Sequence, residues 1–278
     1  MNKNGKPLVL GTEVFSGNWG TDFTKKEIER ILIKFYKINC DEIDTAPSYG
    51  KSCLVEKNLG KIIKKNKDIK LKISSKFIFE TKEKENIKNL VKKIENQLNQ
   101  SLINLNIQSI DTYYFHSGAN ELFFVDEIWS YLNKRKKIGD IKHLGLSMKH
   151  QLVENDDLKQ VYYSKNYGIT RVQTVLNLFS RSSLKKLIPY CKKNKIIVYG
   201  RMPLAKGLLS GKYIDKNSLP TNDPRKDSEI TEKIIKFKFD NKSLKLDEVM
   251  KWPLKYVEKI IFSVKNSNQL QQIANIFK

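Results

Sequence analysis

A carboxylate and a phenol lie close together in the segment Asp44–Gly50, which follows a short predicted strand that ends at Asp44. The phenol belongs to Tyr49, and Pro47 and Gly50 restrict the path of the loop around it. An acid and a phenol that are held together just beyond a strand end can transfer protons. The same residues would also suit a turn cap and a surface tyrosine, so this segment alone leaves both interpretations open.

Strands and helices alternate eight times along the chain, and these elements must position the two groups. The strands are predicted at Leu8–Glu13, in a short run that ends at Asp44, and at Ile69–Lys76, Ser109–His116, Ile141–Ser147, Arg171–Leu176, Ile196–Arg201 and Ile260–Ser263. The helices are predicted from the Thr24 cap to Phe35, from Ser52 to Gly60, and at about Lys82–Asn104, Phe124–Lys137, Gln151–Ser164, Leu184–Asn194, Leu244–Val257 and Asn268–Phe277. A long connection is predicted at Met202–Ser243.

This alternation predicts an α/β fold of the (β/α)8 TIM-barrel class. No linker, low-complexity tract or shift in composition divides the sequence, so residues 1–278 are expected to form one domain. Active sites of such barrels lie at the carboxyl ends of the strands. Five side chains with useful chemistry fall at or just past those ends, namely Asp44, Lys76, His116, Ser147 and Arg201. Their shared position favours a catalytic interpretation of the opening segment.

The formal net charge of +22 would suit a protein that binds nucleic acid. However, the basic residues are nearly all lysines, they are spread over every predicted helix, and arginine is scarce. The sequence has no zinc-finger spacing, basic-region heptad or aromatic RNA-binding motif. We therefore expect no specific nucleic-acid binding, and only a general attraction of anionic ligands such as a phosphate-bearing cofactor.

The other compositional features predict a cytoplasmic protein that does not enter a membrane. No apolar run reaches the roughly 18 residues that a membrane-spanning helix needs, and the first residues lack the apolar region of a signal peptide. Cys40, Cys53 and Cys191 are an odd number of cysteines without metal-ligand spacing. Reduced thiols are the simplest expectation, and no metal site is predicted.

Five blocks in family order identify a resemblance to the aldo-keto reductases. They are the strand-two signature Asp44–Gly50, the lysine-bearing Ile73–Lys76, the pair Ser101–Leu105 with Ile110–His116, the segment Gly139–Ser147, and the loop Pro203–Lys212. Together they extend over nearly the whole chain. The resemblance implies reduction of an aldehyde or ketone by a hydride from nicotinamide C4 of NADPH, with NADH as a possible substitute.

The resemblance also implies a catalytic tetrad of Asp44, Tyr49, Lys76 and His116. Tyr49 would donate the proton to the carbonyl oxygen, and a neighbouring Lys76 ammonium is expected to lower the pKa of the Tyr49 phenol. Asp44 would keep Lys76 charged and in place. His116 would orient the carbonyl and stabilise negative charge on its oxygen.

For the cofactor, the resemblance assigns binding residues from several strand ends. They are Ser147, Met148, Gln173, Arg201, Pro203, Leu204, Ser263, Lys265, Asn266 and Gln269. Met148 replaces the usual asparagine and so removes one amide contact to the nicotinamide. Arg201 stands where the family often has an aromatic ring, and Gln269 stands where an arginine often grips the 2′-phosphate. Trp19 is assigned to the substrate.

Two alternatives to a reductase remain open from the sequence. One is a cofactor-binding regulatory or sensing subunit of the same fold with little turnover, a role that potassium-channel β subunits take. The other is a barrel aldolase in which Lys76 forms a Schiff base, although that would leave Tyr49 and the segment Ser263–Gln269 without a purpose. The carbonyl substrate could be a sugar, a vitamin aldehyde or a toxic metabolic aldehyde, and the oligomeric state is not specified.

Overall fold

Eight parallel strands close into a barrel in chain order in the computed structural model, which describes residues 6–78, 86–221 and 223–278. The strands are β1 Leu8–Gly11, β2 Glu42–Asp44, β3 Lys72–Phe77, β4 Ile110–His116, β5 Ile141–Ser147, β6 Ile169–Val175, β7 Ile197–Arg201 and β8 Lys259–Phe262. β1 pairs with β8, which completes the ring. The predicted (β/α)8 class is confirmed.

Helices alternate with these strands along the chain. They are α1 Lys25–Lys37, α2 Leu54–Lys65, α3 Ile87–Leu105, α4 Asn120–Phe123, α5 Asp126–Ile138, α6 His150–Glu154, α7 Lys159–Tyr163, α8 Leu187–Lys193, α9 Glu229–Asp240, α10 Leu246–Lys251 and α11 Ser267–Ile276. Within the described part of the chain, no helix is long and apolar enough to cross a membrane.

Local sequence accounts well for the first helix. The Thr24 hydroxyl accepts a hydrogen bond from the Glu27 backbone N–H, and the Glu27 carboxylate accepts one from the Thr24 N–H, so the predicted Thr24 cap is part of a capping box. Its apolar residues recur at helical spacing and are buried against the barrel, namely Ile28, Ile31, Leu32 and Phe35. The helix therefore begins directly after its Thr24 cap and buries one apolar face against the core.

The register of the strands brings polar residues together at one end of the barrel. His116 on β4 pairs with Ser147 on β5, and Ser147 pairs with Gln173 on β6. On the other side, Asp44 at the end of β2 pairs with Ser74 on β3. Because all strands are parallel, their carboxyl ends share one mouth. The site described below is built there.

The predicted helix Gln151–Ser164 is wrong as a continuous element. It consists of α6 and α7, separated by a turn in which Asp156 has φ 58° and the Asp157 N–H bonds to the Leu152 carbonyl oxygen. Three consecutive Asn or Asp residues occupy this turn, and such side chains favour turns over helix interiors. The break allows Leu158 to be buried ahead of α7.

The predicted connection Met202–Ser243 also differs, because it contains α9 and a 3-10 turn at Leu208–Ser210. Ile234 and Ile235 of α9 pack with Leu208 and Leu209 in a second apolar cluster outside the main core. Pro220 and Pro224 interrupt the sequence pattern before this helix. Ile234 and Ile235 form a buried helix face only because Leu208 and Leu209 of the preceding loop pack against them, and the local sequence pattern does not show this contact.

Several element ends move by a few residues. The helix predicted at Leu244–Val257 is α10 followed by a 3-10 turn at Trp252–Lys255, with Pro253 in the first turn of the latter. The helix predicted from about Lys82 begins at Ile87 behind an Asn86 cap, and its stretch before residue 86 lies outside the described residues. The third strand is predicted at Ile69–Lys76 and is found at Lys72–Phe77.

Candidate active site

A buried ammonium lies at the centre of the barrel mouth. Lys76 Nζ donates to Asp44 Oδ2 at 2.7 Å, to the Thr45 carbonyl oxygen at 2.7 Å and to Tyr49 Oη at 3.0 Å. Lys76 has no exposed surface, and Asp44 is 3% exposed. The three donors of the ammonium thus have three acceptors, so its charge is satisfied although it is away from water. The predicted contact of Asp44, Tyr49 and Lys76 is present.

The charges of this cluster oppose the effect of burial on Lys76. Burial alone would lower the pKa of Lys76, but the Asp44 carboxylate and the Tyr49 phenol outweigh it and raise that pKa above the usual value. Lys76 is therefore an ammonium at neutral pH. The Tyr49 phenol shows the converse balance, because burial raises its pKa and outweighs the lowering effect of Lys76. The lowering effect expected of Lys76 is therefore present, but it is smaller than the effect of burial.

His116 joins the cluster from β4. Its ring lies edge-on to the Tyr49 ring, with the ring centroids 6.4 Å apart and the planes at 84°. Burial, followed by the charges of Lys76 and Arg201, holds the pKa of His116 well below its usual range. The imidazole is therefore neutral, and in the described structure its Nδ1 has no hydrogen-bond partner. A neutral ring can donate one N–H to a ligand without carrying charge into the site.

Gln173 has a contact that sequence reasoning missed. Its Nε2 donates to Asp44 Oδ1 at 2.6 Å, on the carboxylate oxygen opposite Lys76. Because an ionised carboxylate only accepts, the amide nitrogen must face Asp44 and the amide oxygen must face away. That oxygen has no partner among the described residues, and the same holds for Ser147 Oγ. An open acceptor and an open hydroxyl therefore lie on adjacent strands of the mouth.

Met148 and Arg201 are joined through the backbone. Arg201 Nη2 donates to the Met148 carbonyl oxygen at 2.8 Å, and the Met148 N–H donates to the Gln173 carbonyl oxygen at 2.9 Å. The Met148 side chain is fully buried in the main core. Pro203 is buried just beyond β7, and Leu204 packs against both apolar clusters. The guanidinium of Arg201 thus extends from the end of β7 toward the end of β5.

The predicted phosphate-binding residues lie together after β8, and each already has a protein partner. Ser263 Oγ donates to the Gly11 carbonyl oxygen at 2.8 Å. The Asn266 side chain accepts from the Gln269 N–H at the start of α11, and the Gln269 side chain accepts from the Lys265 N–H. Lys265 Nζ donates to the Trp19 carbonyl oxygen at 2.9 Å and to Thr21 Oγ1 at 3.0 Å.

Trp19 therefore meets the predicted cofactor residues, which the sequence did not indicate. Besides the contact with Lys265, its ring lies under Lys206 Nζ, which is 4.7 Å from the ring centroid. The loop after β1 is thus joined to the loops after β7 and β8. Trp19 also packs against the main core cluster together with Tyr49. This position is compatible with a wall shared by a cofactor and a substrate.

A second buried carboxylate supports the site from outside the barrel wall, and sequence reasoning missed it too. Glu56 on α2 has no exposed surface. It accepts from Ser75 Oγ at 2.7 Å, Ser101 Oγ at 3.2 Å and Asn104 Nδ2 at 3.4 Å. Burial raises the pKa of Glu56 despite these donors. Glu56 stands between apolar positions of α2, which was the available signal, and it fixes the strand residue next to Lys76.

Comparisons with known proteins place the chain in a family. A family model described as Aldo/keto reductase family matches residues 7–278. The NADH-specific methylglyoxal reductase of Escherichia coli (strain K12) is 27% identical over 222 residues, covering 73% of this chain and 65% of that protein. The aldo-keto reductase YhdN of Bacillus subtilis (strain 168) is 28% identical over 227 residues, covering 78% of this chain and 64% of that protein.

The match to these two curated relatives spans slightly less than two thirds of their own length. A solved structure, the glycerol dehydrogenase AKR11B4 from Gluconobacter oxydans, has a TM-score of 0.75 and 22% identity, covering 100% of this chain and 91% of that one. Likeness at this level of identity supports the barrel fold and does not specify a substrate.

Replacing Lys76 by Met leaves the buried Asp44 carboxylate without its counter-charge. We expect Lys76→Met to lose about 3–5 kcal/mol of unfolding free energy, measured by urea denaturation at neutral pH. The double variant Lys76→Met/Asp44→Asn removes both charges and is expected to be more stable than the single variant. The control Lys92→Met breaks the exposed Lys92–Glu95 pair and is expected to cost less than about 1 kcal/mol. A double variant no more stable than Lys76→Met would contradict the charge matching.

The low pKa of His116 makes stability depend on pH. An unfolded histidine binds a proton below about pH 6.5, whereas the folded ring stays neutral, so the contribution of His116 is lost as the pH falls below that value. The unfolding free-energy difference between wild type and His116→Gln should shrink by up to about 1.4 kcal/mol per pH unit there. Nitrogen-15 NMR of the folded chain tests the premise directly. An imidazolium signal from His116 at about pH 6 would contradict it.

Proposed function

The chain belongs to the aldo/keto reductase family, and we propose that it is an NADPH-dependent oxidoreductase that reduces a small aldehyde or ketone to an alcohol. The observation that carries this proposal is the cluster in which Lys76 bonds to both Asp44 and Tyr49 at the barrel mouth. It joins a proton donor to a permanent cation and an anion that fixes the cation. General acid catalysis of carbonyl reduction needs a positioned proton donor, and the neighbouring cation stabilises the anion that the donor leaves behind.

Tyr49 is the proposed acid. Reduction of a carbonyl places negative charge on its oxygen, and the Tyr49 hydroxyl donates its proton to that oxygen. The phenolate that remains is stabilised by Lys76 Nζ, 3.0 Å away in the resting chain. Since burial raises the pKa of Tyr49, the phenol keeps its proton until negative charge develops on the substrate oxygen. Asp44 keeps Lys76 charged throughout, because it raises the pKa of the ammonium.

His116 is proposed to orient the carbonyl. Because its pKa is depressed, the ring is neutral and lacks the imidazolium proton that a general acid would give, so the proton transfer is left to Tyr49. The neutral ring can still donate one hydrogen bond to the carbonyl oxygen. Because the His116 and Tyr49 rings meet edge-on, one oxygen atom between them could receive both donors. Two donors aimed at the same oxygen stabilise the charge that develops there.

The open polar atoms of Ser147 and Gln173 fit a nicotinamide carboxamide. The carboxamide N–H2 group would donate to Gln173 Oε1, and its oxygen would accept from the Ser147 hydroxyl, which satisfies two buried atoms that otherwise have no described partner. When bound, NADPH supplies the hydride from nicotinamide C4. The Arg201 guanidinium is planar and can lie against the nicotinamide ring in place of an aromatic residue. Met148 holds Arg201 through its backbone carbonyl oxygen and has no side-chain amide to offer the carboxamide.

The adenosine end would be held by residues from two loops. Pro203 and Leu204 form the start of the loop after β7, and Ser263, Lys265, Asn266 and Gln269 follow β8. Lys265 can supply positive charge for the 2′-phosphate that distinguishes NADPH from NADH. Gln269 has no charge, and one relative is named as NADH-specific, so NADH remains a possible second cofactor.

Removing the Tyr49 hydroxyl tests the proposed acid. Tyr49→Phe is expected to lower kcat/KM for NADPH-dependent carbonyl reduction by about 10²–10⁴-fold. The rate is measured as the loss of NADPH absorbance with a panel of aldehydes and ketones. Tyr162→Phe, on the exposed face of α7, is the matched control and should keep the wild-type rate. Unchanged activity in Tyr49→Phe would exclude Tyr49 as the acid. If the wild type binds NADPH but reduces no carbonyl, the chain is a cofactor-binding subunit instead.

Lys265 provides a separate test of cofactor preference. Lys265→Ala is expected to raise the NADPH dissociation constant about 10- to 100-fold, the range for losing a hydrogen bond to a charged group, while NADH binding changes little. Quenching of tryptophan fluorescence measures both constants. Lys216→Ala removes a partly exposed lysine elsewhere in the same part of the fold and controls for net charge. If Lys265→Ala weakened the binding of NADPH and NADH equally, a role of Lys265 at the 2′-phosphate would be contradicted.

A further inference from the structure

Arg201 places a positive charge at the barrel mouth, close enough to lower the pKa of His116, the residue that is proposed to orient the carbonyl. The side chain is half-buried at the end of β7, and one of its N–H groups is fixed on the Met148 carbonyl oxygen at 2.8 Å. After burial and Lys76, the Arg201 charge is the next cause of the low pKa of His116. Arg201 also lowers the pKa of His150, following the larger effect of burial. The charge of the Arg201 guanidinium therefore reaches the rings of both His116 and His150.

This charge differs from that of other arginines with limited exposure. Arg135 meets Asp140 at 2.6 Å, Arg171 meets Asp111 at 2.5 Å, and Arg225 meets Asp223 at 2.5 Å. Among the residues that the structure describes, Arg201 forms no ion pair, and its buried Nε has no hydrogen-bond partner.

Glu154, an acid near His150, lies 3.2 Å from the His150 ring and is half-exposed. It therefore does not serve as a dedicated counter-ion for Arg201. A half-buried guanidinium without a matched anion is costly unless a ligand supplies the missing charge.

We propose that Arg201 binds a carboxylate carried by the substrate, so that the preferred substrates are small oxo acids, in which an aldehyde or ketone and a carboxylate share one short chain. This proposal rests on the proposed function and adds the substrate class to it. The planar guanidinium suits a carboxylate, which accepts two parallel N–H bonds. A substrate that spans Arg201 and His116 would present its carbonyl to Tyr49 in a fixed orientation.

A carboxylate fits this site better than a phosphate. Lys76, another cation of the mouth, is fully occupied by Asp44, Thr45 and Tyr49. One guanidinium balances one carboxylate charge, whereas a phosphate group carries nearly two negative charges at neutral pH. Arg201 therefore offers about one unit of unmatched charge.

The test compares two aldehydes of equal length, 4-oxobutanoate and butanal, which differ by a carboxylate in place of a methyl group. We expect the wild type to have a kcat/KM for 4-oxobutanoate at least about 10-fold above that for butanal, mainly through a lower KM. Arg201→Met is expected to reduce the ratio of the two kcat/KM values by about 10- to 100-fold, and Arg201→Lys to restore part of it. The ratio cancels any effect that Arg201 has on the cofactor, because both substrates use the same bound nicotinamide.

Arg30→Met, on the exposed side of α1, removes a distant arginine and should leave the ratio unchanged. If Arg201→Met lowers kcat/KM equally for both aldehydes and weakens NADPH binding, Arg201 serves the cofactor alone and the inference is wrong. A wild type that prefers butanal, or whose ratio is unaffected by Arg201→Met, also overturns it while the reductase function stands. If the wild type reduces neither aldehyde nor any other carbonyl, the failure lies with the proposed function itself.

Discussion

The site depends on one constraint, which is that the ammonium of Lys76 is buried inside the barrel and must be matched there. Moving a charge out of water is costly, and the cost is offset only when partners surround the ion with good geometry. Asp44, the Thr45 carbonyl oxygen and Tyr49 provide those partners within 3.0 Å. All three belong to the end of β2 and the loop that follows it. The pairing of β2 with β3 is therefore required by electrostatics as well as by the backbone hydrogen bonds of the sheet.

The matching of charges becomes less complete away from the ion pair of Lys76 and Asp44. Gln173 completes the environment of Asp44 from the opposite side of the barrel, so the carboxylate is held by β3 and β6 at once. Next to it, His116 avoids an unmatched charge by remaining neutral. Farther out, Arg201 keeps a charge for which the described chain provides no anion. The charges of the Lys76 cluster are thus matched within the described chain, whereas the charge of Arg201 is left for a ligand to match.

Much of this could be predicted from the sequence, because the relevant signals are local. Strand and helix periodicity gave the barrel, and the position of Asp44, Lys76 and His116 at strand ends placed them at one mouth. Contacts that depend on distant partners were not predictable in this way. The bond between Gln173 and Asp44 joins residues on opposite sides of the ring, and the direction of the Tyr49 pKa depends on a burial that no spacing reveals. The break at Asp156 and the packing of α9 likewise depend on tertiary neighbours, which override local helix preference.

The closure of the ring by β1 and β8 has a consequence for the order in which the parts of the site can form. The Lys76 cluster uses neighbouring strands early in the chain, whereas Ser263 and Lys265 contact Gly11 and Trp19, more than 240 residues earlier. During synthesis on the ribosome, the first strand must wait for the last one before this seam can close. Contacts between such distant residues are slow to form because a long loop must close first. The residues of the Lys76 cluster on β2 and β3 are therefore synthesised well before the pocket side built on β8 can form.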